Sequence, residues 1–283
     1  MYSAHSNTDN SQYRDINKQL FDAVFLGDIA RVKELVSAGI DTNSVIHTPV
    51  KWEGATILSI AAHEGHLEIV KFLVKSGTSV NFIDPCMGRN ALHWACMGNQ
   101  YDVAKYLIQN GVDVNHVDKE NNTALAQATI CQNVDLVRYL IQNGSDTTIT
   151  DVLQCSPLHY ACMQRNSSLV KTIIKGGCVL CNSSALGKGT PLKHLAVNND
   201  VNNCRLLLDA GYNLNDDSWF QQQRKTKNDI TKMITDYIMD AKTLQNLSRT
   251  TIRKNLKGVK IEECIGRLEL PDSLKLFLKM DDF

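Results

Sequence analysis

Three short stretches carry residue types that could do chemistry. Cys178 and Cys181 form a Cys-x-x-Cys pair, the spacing at which two thiolates can grip one side of a zinc ion. A structural zinc site takes four ligands, and no second pair lies at a suitable distance along the chain. The two cysteines therefore read as loop thiols, and no metal is expected. His93 and His159, each following a leucine, have the side chain of a ligand or a general base. GKGT at 187–190 has the glycine and lysine of a phosphate-cradling loop, but it lacks the upstream glycine and follows no strand. No serine or cysteine stands in a nucleophile setting with a plausible base. The sequence offers no active site, and no cofactor is expected.

Composition narrows the classes further. The chain has 283 residues, 43% of them hydrophobic, with Lys plus Arg and Asp plus Glu at 30 each. A balanced charge provides no basic field for a phosphate backbone, so nucleic acid is not an expected partner. No apolar run approaches the roughly 20 residues needed to cross a bilayer, so no membrane partner is expected. MYSAHSNTDNSQYRD has neither the basic start nor the apolar centre of a secretory signal. The expected location is the reducing cytosol or the nucleus. Several of the nine cysteines fall at apolar helix positions, where a small thiol packs, and all are expected to be free. The sequons at Asn121, Asn166, Asn182 and Asn246 are then chance matches.

The elements that hold these residues are periodic. Gly39, Gly77, Gly111, Gly144, Gly177 and Gly211 follow one another at 38, 34, 33, 33 and 34 residues. Each ends an apolar phrase such as LIQNG, where a left-handed residue must cap the last helical carbonyls. A second register, Leu58, Leu92, Leu125, Leu158 and Leu192, runs at 34, 33, 33 and 34 residues. The small pairs Ala61–Ala62, Ala95–Cys96 and Ala161–Cys162 let a second helix approach closely, and runs such as HLEIVKFLV and NVDLVRYLI supply it with apolar residues at helical spacing. Thr or Ser ahead of Pro or a small residue suits the start of the first helix.

SPLHYACMQRNSSLVKTIIKGG and NALHWACMGNQYDVAKYLIQNGVDVN carry a resemblance to the ankyrin repeat family. The resemblance implies an all-α solenoid of about six helix-turn-helix repeats, beginning near residues 17, 51, 85, 118, 151 and 185. Four extra residues lengthen the first connection around SVIHTPVKW, and TALA in place of TPLH weakens the start of the fourth repeat. His93 and His159 fall where this family uses histidine to bond nearby backbone. A scaffold of this kind has no enzymatic mechanism of its own, because each repeat buries its face against its neighbours.

If the hairpins stack, the residue after each small pair points into the groove: His63, Met97, Ile130, Met163 and Val197. Four in a row are apolar, so Met97, Ile130, Met163 and Val197, flanked by Glu64, Gln164 and Asn198, are candidates for a protein-binding groove. The competing reading is that they lean half buried on neighbouring first helices. Trp94 and Tyr160 are either aromatic anchors for a partner or fillers between repeats.

After Asn215 the period stops. Ile230, Met233, Ile234, Tyr237 and Ile238 lie on one helical stripe, suited to closing the open end of the array. TLQNLSRTTIRKNL and IEECIGRLELPDSLKLFL then give further short apolar helices, too few residues to bury a core unaided. Their apolar faces are expected to dock on another protein.

This ending resembles a SOCS box, and repeats followed by such a box resemble the ankyrin repeat and SOCS box family. The Elongin C-binding half of the family pattern falls on Thr243, Leu244, Leu247, Ser248, Arg249 and Ile252, with Ser248 in place of the usual cysteine. The cullin-binding half falls on Leu268, Glu269, Leu270, Pro271, Leu274, Phe277 and Leu278, with Glu269 in place of the first proline. The resemblance implies a non-catalytic subunit of a ubiquitin ligase. In that role the box recruits Elongin B, Elongin C and a cullin of the type-5 class with its RING protein, and the repeats hold a protein substrate. The rival is an ankyrin scaffold without ligase recruitment. The expected division is a flexible segment at 1–16, repeats at 17–215, linker and capping helix at 216–240 and a three-helix box at 241–283.

Overall fold

Hydroxyl and amide side chains start the first helix of each repeat. Thr56, Asn90, Thr123 and Thr190 accept from backbone amides one turn inside their helices, and Ser156 shares a capping box with His159. Thr123 makes its cap to Ala126 N although Ala124 stands where the two following repeats have Pro157 and Pro191. The computed structural model describes residues 17–43, 52, 54–176, 189–210, 212, 214, 217–223, 232, 234 and 236. It pairs α1 (17–26) with α2 (Ile29–Ser37), α3 (Ile57–Glu64) with α4 (Leu67–Lys75), and α5 (Ala91–Met97) with α6 (Tyr101–Gln109). The pairing continues with α7 (Ala124–Ile130) and α8 (Val134–Gln142), α9 (Pro157–Met163) and α10 (Ser167–Lys175), and α11 (Pro191–Val197) and α12 (Val201–Asp209), followed by α13 (Ser218–Gln223). An isolated antiparallel β bridge joins Val117 and Thr123.

Each helix pair turns through a left-handed residue, at Gly27, Gly65, Asn99, Gln132, Arg165 and Asn199. Each second helix from α2 to α8 then ends on Gly39, Gly77, Gly111 or Gly144, all at positive φ, while Gly177 and Gly211 lie outside the described residues. Nothing comes within 4 Å of a Cβ built on these four, so their glycine is required by backbone conformation alone.

The first helices α3, α5, α7, α9 and α11 stack on one another, and α2, α4, α6, α8, α10 and α12 stack as a second layer. This is the helical solenoid implied by the resemblance. Leu58, Leu92, Leu125, Leu158 and Leu192 are buried between the layers, and the small residues Ala61, Ala62, Ala95, Cys96, Ala161 and Cys162 are fully buried beside them. The buried cysteines Cys96, Cys155, Cys162 and Cys204 belong to this core, and burial pushes the Cys204 thiol up to about 12. They pack as apolar groups.

Polar side chains tie each repeat to the next. Asn81 donates to the Gly111 carbonyl at 3.0 Å and accepts from Asp113 N at 2.8 Å; Asn115 repeats both bonds with Gly144 and Asp146 at 3.0 and 2.7 Å. The buried carboxylates of Asp84, Asp118 and Asp151 gather the amides of their own hairpin loops. Arg89 Nε reaches across the repeat boundary to Asp118 Oδ2 at 3.1 Å.

Contacts divide the chain into Met1–Gln222 and Gln223–Phe283. In the second unit residues 232, 234 and 236 are helical, with Ile234 buried and Lys232 and Asp236 exposed. The remaining members of the expected stripe, Ile230, Met233, Tyr237 and Ile238, lie outside the described residues.

Candidate functional site

Met97, Ile130, Met163 and Val197 are each the last residue of their helix, α5, α7, α9 and α11, two residues ahead of a left-handed turn. The same place is taken by Phe25 and His63 ahead of Gly27 and Gly65, so the row runs one residue per repeat through six repeats. Its members differ in exposure. Val197 is 69% exposed, Phe25 42% and Ile130 37%, whereas Met97 and Met163 are half buried. Neighbouring side chains bond the carbonyls of this row: Gln100 Nε2 donates to His63 O at 3.1 Å and Gln164 Nε2 to Ile130 O at 2.8 Å. The first two repeats thus present aromatic side chains and the later four aliphatic ones, a face that can hold a protein segment through apolar contacts.

Trp52 and Trp94 stack at 5.4 Å between centroids, His63 meets Trp52 edge-on at 4.8 Å, and Phe25 continues the cluster at 6.4 Å from Trp52. Arg89 lies over Trp94 at 5.6 Å, and Trp94 Nε1 donates to Asp84 at 3.3 Å. Trp94 is 3% exposed, so it fills space between repeats. Tyr160 is half buried and spends its hydroxyl on Asp151. Trp52 had no place in the sequence reading because it falls in the lengthened connection, where the register is lost. The usable sign was an indole in a connection that also carries Val45, Ile46 and Val50.

His93 and His159 hold backbone and caps in place. His93 is buried, with Nδ1 2.7 Å from Asn90 Oδ1 and Nε2 3.0 Å from the carbonyl of Asn122 in the next repeat. Burial pushes its pKa from 6.5 down to about 4, against the opposing pull of the Asn122 carbonyl and Asp118. His159 Nδ1 accepts from Ser156 N at 3.1 Å and pairs with its Oγ at 2.8 Å. No group of three or more metal-ligating side chains gathers among the described residues; Cys178 and Cys181 lie outside them. The second half of GKGT starts a helix, since Thr190 caps α11 through Lys193 N.

A depressed His93 pKa has a consequence for stability. The unfolded chain takes up the proton as pH falls through 6.5, whereas the folded chain holds off until about 4. The contribution is therefore complete above 6.5 and lost toward 4. It amounts to roughly 3 kcal/mol over that window. Urea midpoints of the full chain should fall steadily as pH is lowered across it, and His93→Gln should flatten the profile. A wild-type midpoint independent of pH there would contradict this account.

The stacked helix pairs, their capped turns and their glycine-ended second helices define an ankyrin repeat protein. The family model described as ankyrin repeats (3 copies) matches residues 20–118, 88–151 and 127–218, and the SOCS box model matches residues 241–279. The chain belongs to the ankyrin repeat and SOCS box family. Among curated proteins none matches it. Thr243, Leu244, Leu247, Ser248 and Ile252, and likewise Leu268, Leu270, Pro271, Leu274, Phe277 and Leu278, lie within the matched box and outside the described residues.

Proposed function

We propose that this protein is the substrate-recognition subunit of an Elongin B/C–cullin–RING ubiquitin ligase. The observation that carries the reading is a SOCS box at 241–279 behind a repeat array at 20–218. Thr243, Leu244, Leu247, Ser248 and Ile252 dock on Elongin C, which brings Elongin B with it. Leu268, Leu270, Pro271, Leu274, Phe277 and Leu278 engage a cullin of the type-5 class and its RING protein. Ser248 is small enough for a pocket that normally takes cysteine, and Glu269 is the departure that bears on cullin choice. The row of Met97, Ile130, Met163 and Val197 holds the target protein, which is ubiquitinated and degraded. The subunit performs no bond chemistry. It raises the local concentration of a target lysine near charged ubiquitin, turning a bimolecular encounter into a tethered one.

The test is co-expression of the full chain with Elongin B and Elongin C. A stable ternary complex is expected on gel filtration, and Leu244→Pro should abolish it by breaking the helix expected of TLQNLSRTTIRKNL. Failure of the wild-type chain to form the complex would leave the plain ankyrin scaffold as the function.

A further inference from the structure

The second-helix layer repeats one pattern from α4 to α8. Its second residue is acidic, at Glu68, Asp102 and Asp135; its fifth is basic, at Lys71, Lys105 and Arg138; and its sixth is aromatic, at Phe72, Tyr106 and Tyr139. Where the acid and base pair, they do so at 2.7 Å, in Lys71–Glu68 and Arg138–Asp135. The residue after α6 and after α8 is asparagine, Asn110 or Asn143, whose side chain folds back to the carbonyl of Tyr106 or Tyr139.

In α10 these positions change together. Ser168 stands in place of the acid, Thr172 in place of the aromatic ring and Gly176 in place of the asparagine, while the basic residue is kept as Lys171 and a second, Lys175, ends the helix. A cleft of about 610 Å³ lies between α8 and α10, with Thr172 on its lining and Gly176 in close contact with Ile141. The loss of the acid leaves it positive. Arg138, Lys171 and Lys175 line it with Ser168 and Thr172, no carboxylate among the described residues does, and half-buried Val134 and Ile141 form its apolar wall. Neither Lys171 nor Lys175 is ion-paired among the described residues. The clefts along α2–α4 and α6–α8 differ on this point, since Glu68 lines one and Asp135 the other.

We infer that the α8–α10 cleft is a second docking surface, separate from the row at the first-helix ends, and that it takes an acidic peptide segment of a partner protein. Carboxylates of the segment meet Lys171, Lys175 and Arg138, and an apolar side chain between them rests on Val134 and Ile141. Charge complementarity selects this occupant: a cleft with two unpaired lysines, a third cation and an apolar wall matches alternating acidic and apolar side chains. The inference is independent of ligase recruitment.

The probe is a dye-labelled peptide of alternating Glu and Leu, titrated with the full chain by fluorescence anisotropy at low salt. Binding that weakens as salt is raised is expected, and Lys171→Glu/Lys175→Glu should reduce affinity by about tenfold or more. Ser168→Glu, which gives Lys171 the partner that Glu68 gives Lys71, should weaken binding several-fold, and it places a favourable charge at a helix start, so the fold is preserved. Lys71→Glu, in the α2–α4 cleft, should change affinity by less than about twofold. Equal losses from Lys71→Glu and the double variant would reduce the effect to general surface charge and overturn the proposal. So would undiminished binding to the Ser168→Glu and double variants, or capture of anionic lipid vesicles through these lysines with no binding of the peptide.

Discussion

Replacing Gly98 by alanine is expected to lower the unfolding free energy by roughly 2–3 kcal/mol, more than the same change at Gly111. The two glycines are needed for different reasons. Gly111 sits at φ 80° with open space around a built Cβ, so alanine there costs only the left-handed backbone, about 1 kcal/mol. Gly98 has an ordinary φ of −78°, but a Cβ would stand 2.8 Å from the His63 carbonyl carbon, 2.9 Å from its Cα and closer still to its oxygen. The obstacle is backbone, which no rotamer change can clear. Relief requires moving α5 away from α3, toward the spacing of later repeats, where Cys131 and Gln164 occupy the equivalent place and bond the preceding repeat's carbonyl. That movement would separate the Trp52–Trp94 stack and the Gln100–His63 bond. Because repeats are coupled only through neighbours, the array should also lose cooperativity at this boundary. Hydrogen exchange should show amides of α1–α4 opening ahead of those in α7–α10. If Gly98→Ala proves milder than Gly111→Ala, close approach at this boundary is not what selects glycine.

Features set by local chemistry were legible in the sequence. The glycines at 39, 77, 111 and 144, the leucines one register earlier and the caps at Thr56, Thr123 and Thr190 each declare themselves within a few residues. Features set by the neighbouring repeat were not. Gln132 and Arg165 adopt the left-handed turn although neither residue type favours it; the stacking of the flanking helices imposes the conformation. Asp84, Asp118 and Asp151 recur at nearly constant spacing, yet acidic residues in loops are ordinarily solvated, and only the hairpin geometry shows them buried. The candidate groove was legible as a set of helix ends but not as a surface. Ile130 and Val197 are open while Met97 and Met163 are half buried, because exposure at a helix end depends on what the next repeat brings over it. The positive cleft was hidden for the same reason. Ser168, Thr172 and Gly176 are unremarkable singly and become a cleft only beside α8.

Arg89→Ala should destabilise the chain by about 3 kcal/mol, through a charge left behind more than through an attraction lost. Asp118 is fully buried at its side chain and Arg89 is 11% exposed, so their contact at 3.1 Å is made out of water. The amides of Glu120 and Asn122, at 3.0 and 2.8 Å, would still hold Asp118 Oδ1 after the substitution, which keeps the expected cost at the low end of the range for broken buried pairs. Oδ2 would be left facing the space of the missing guanidinium, and Trp94 would lose the cation above its ring. Removing the charge as well as its partner tests this directly. Asp118→Asn keeps an oxygen for the two amides and carries no charge to strand, so Arg89→Ala/Asp118→Asn should be more stable than Arg89→Ala alone, by urea midpoint at neutral pH. If the double variant is the less stable of the two, the arginine contributes by packing on Trp94, and the ion pair across the repeat boundary contributes little.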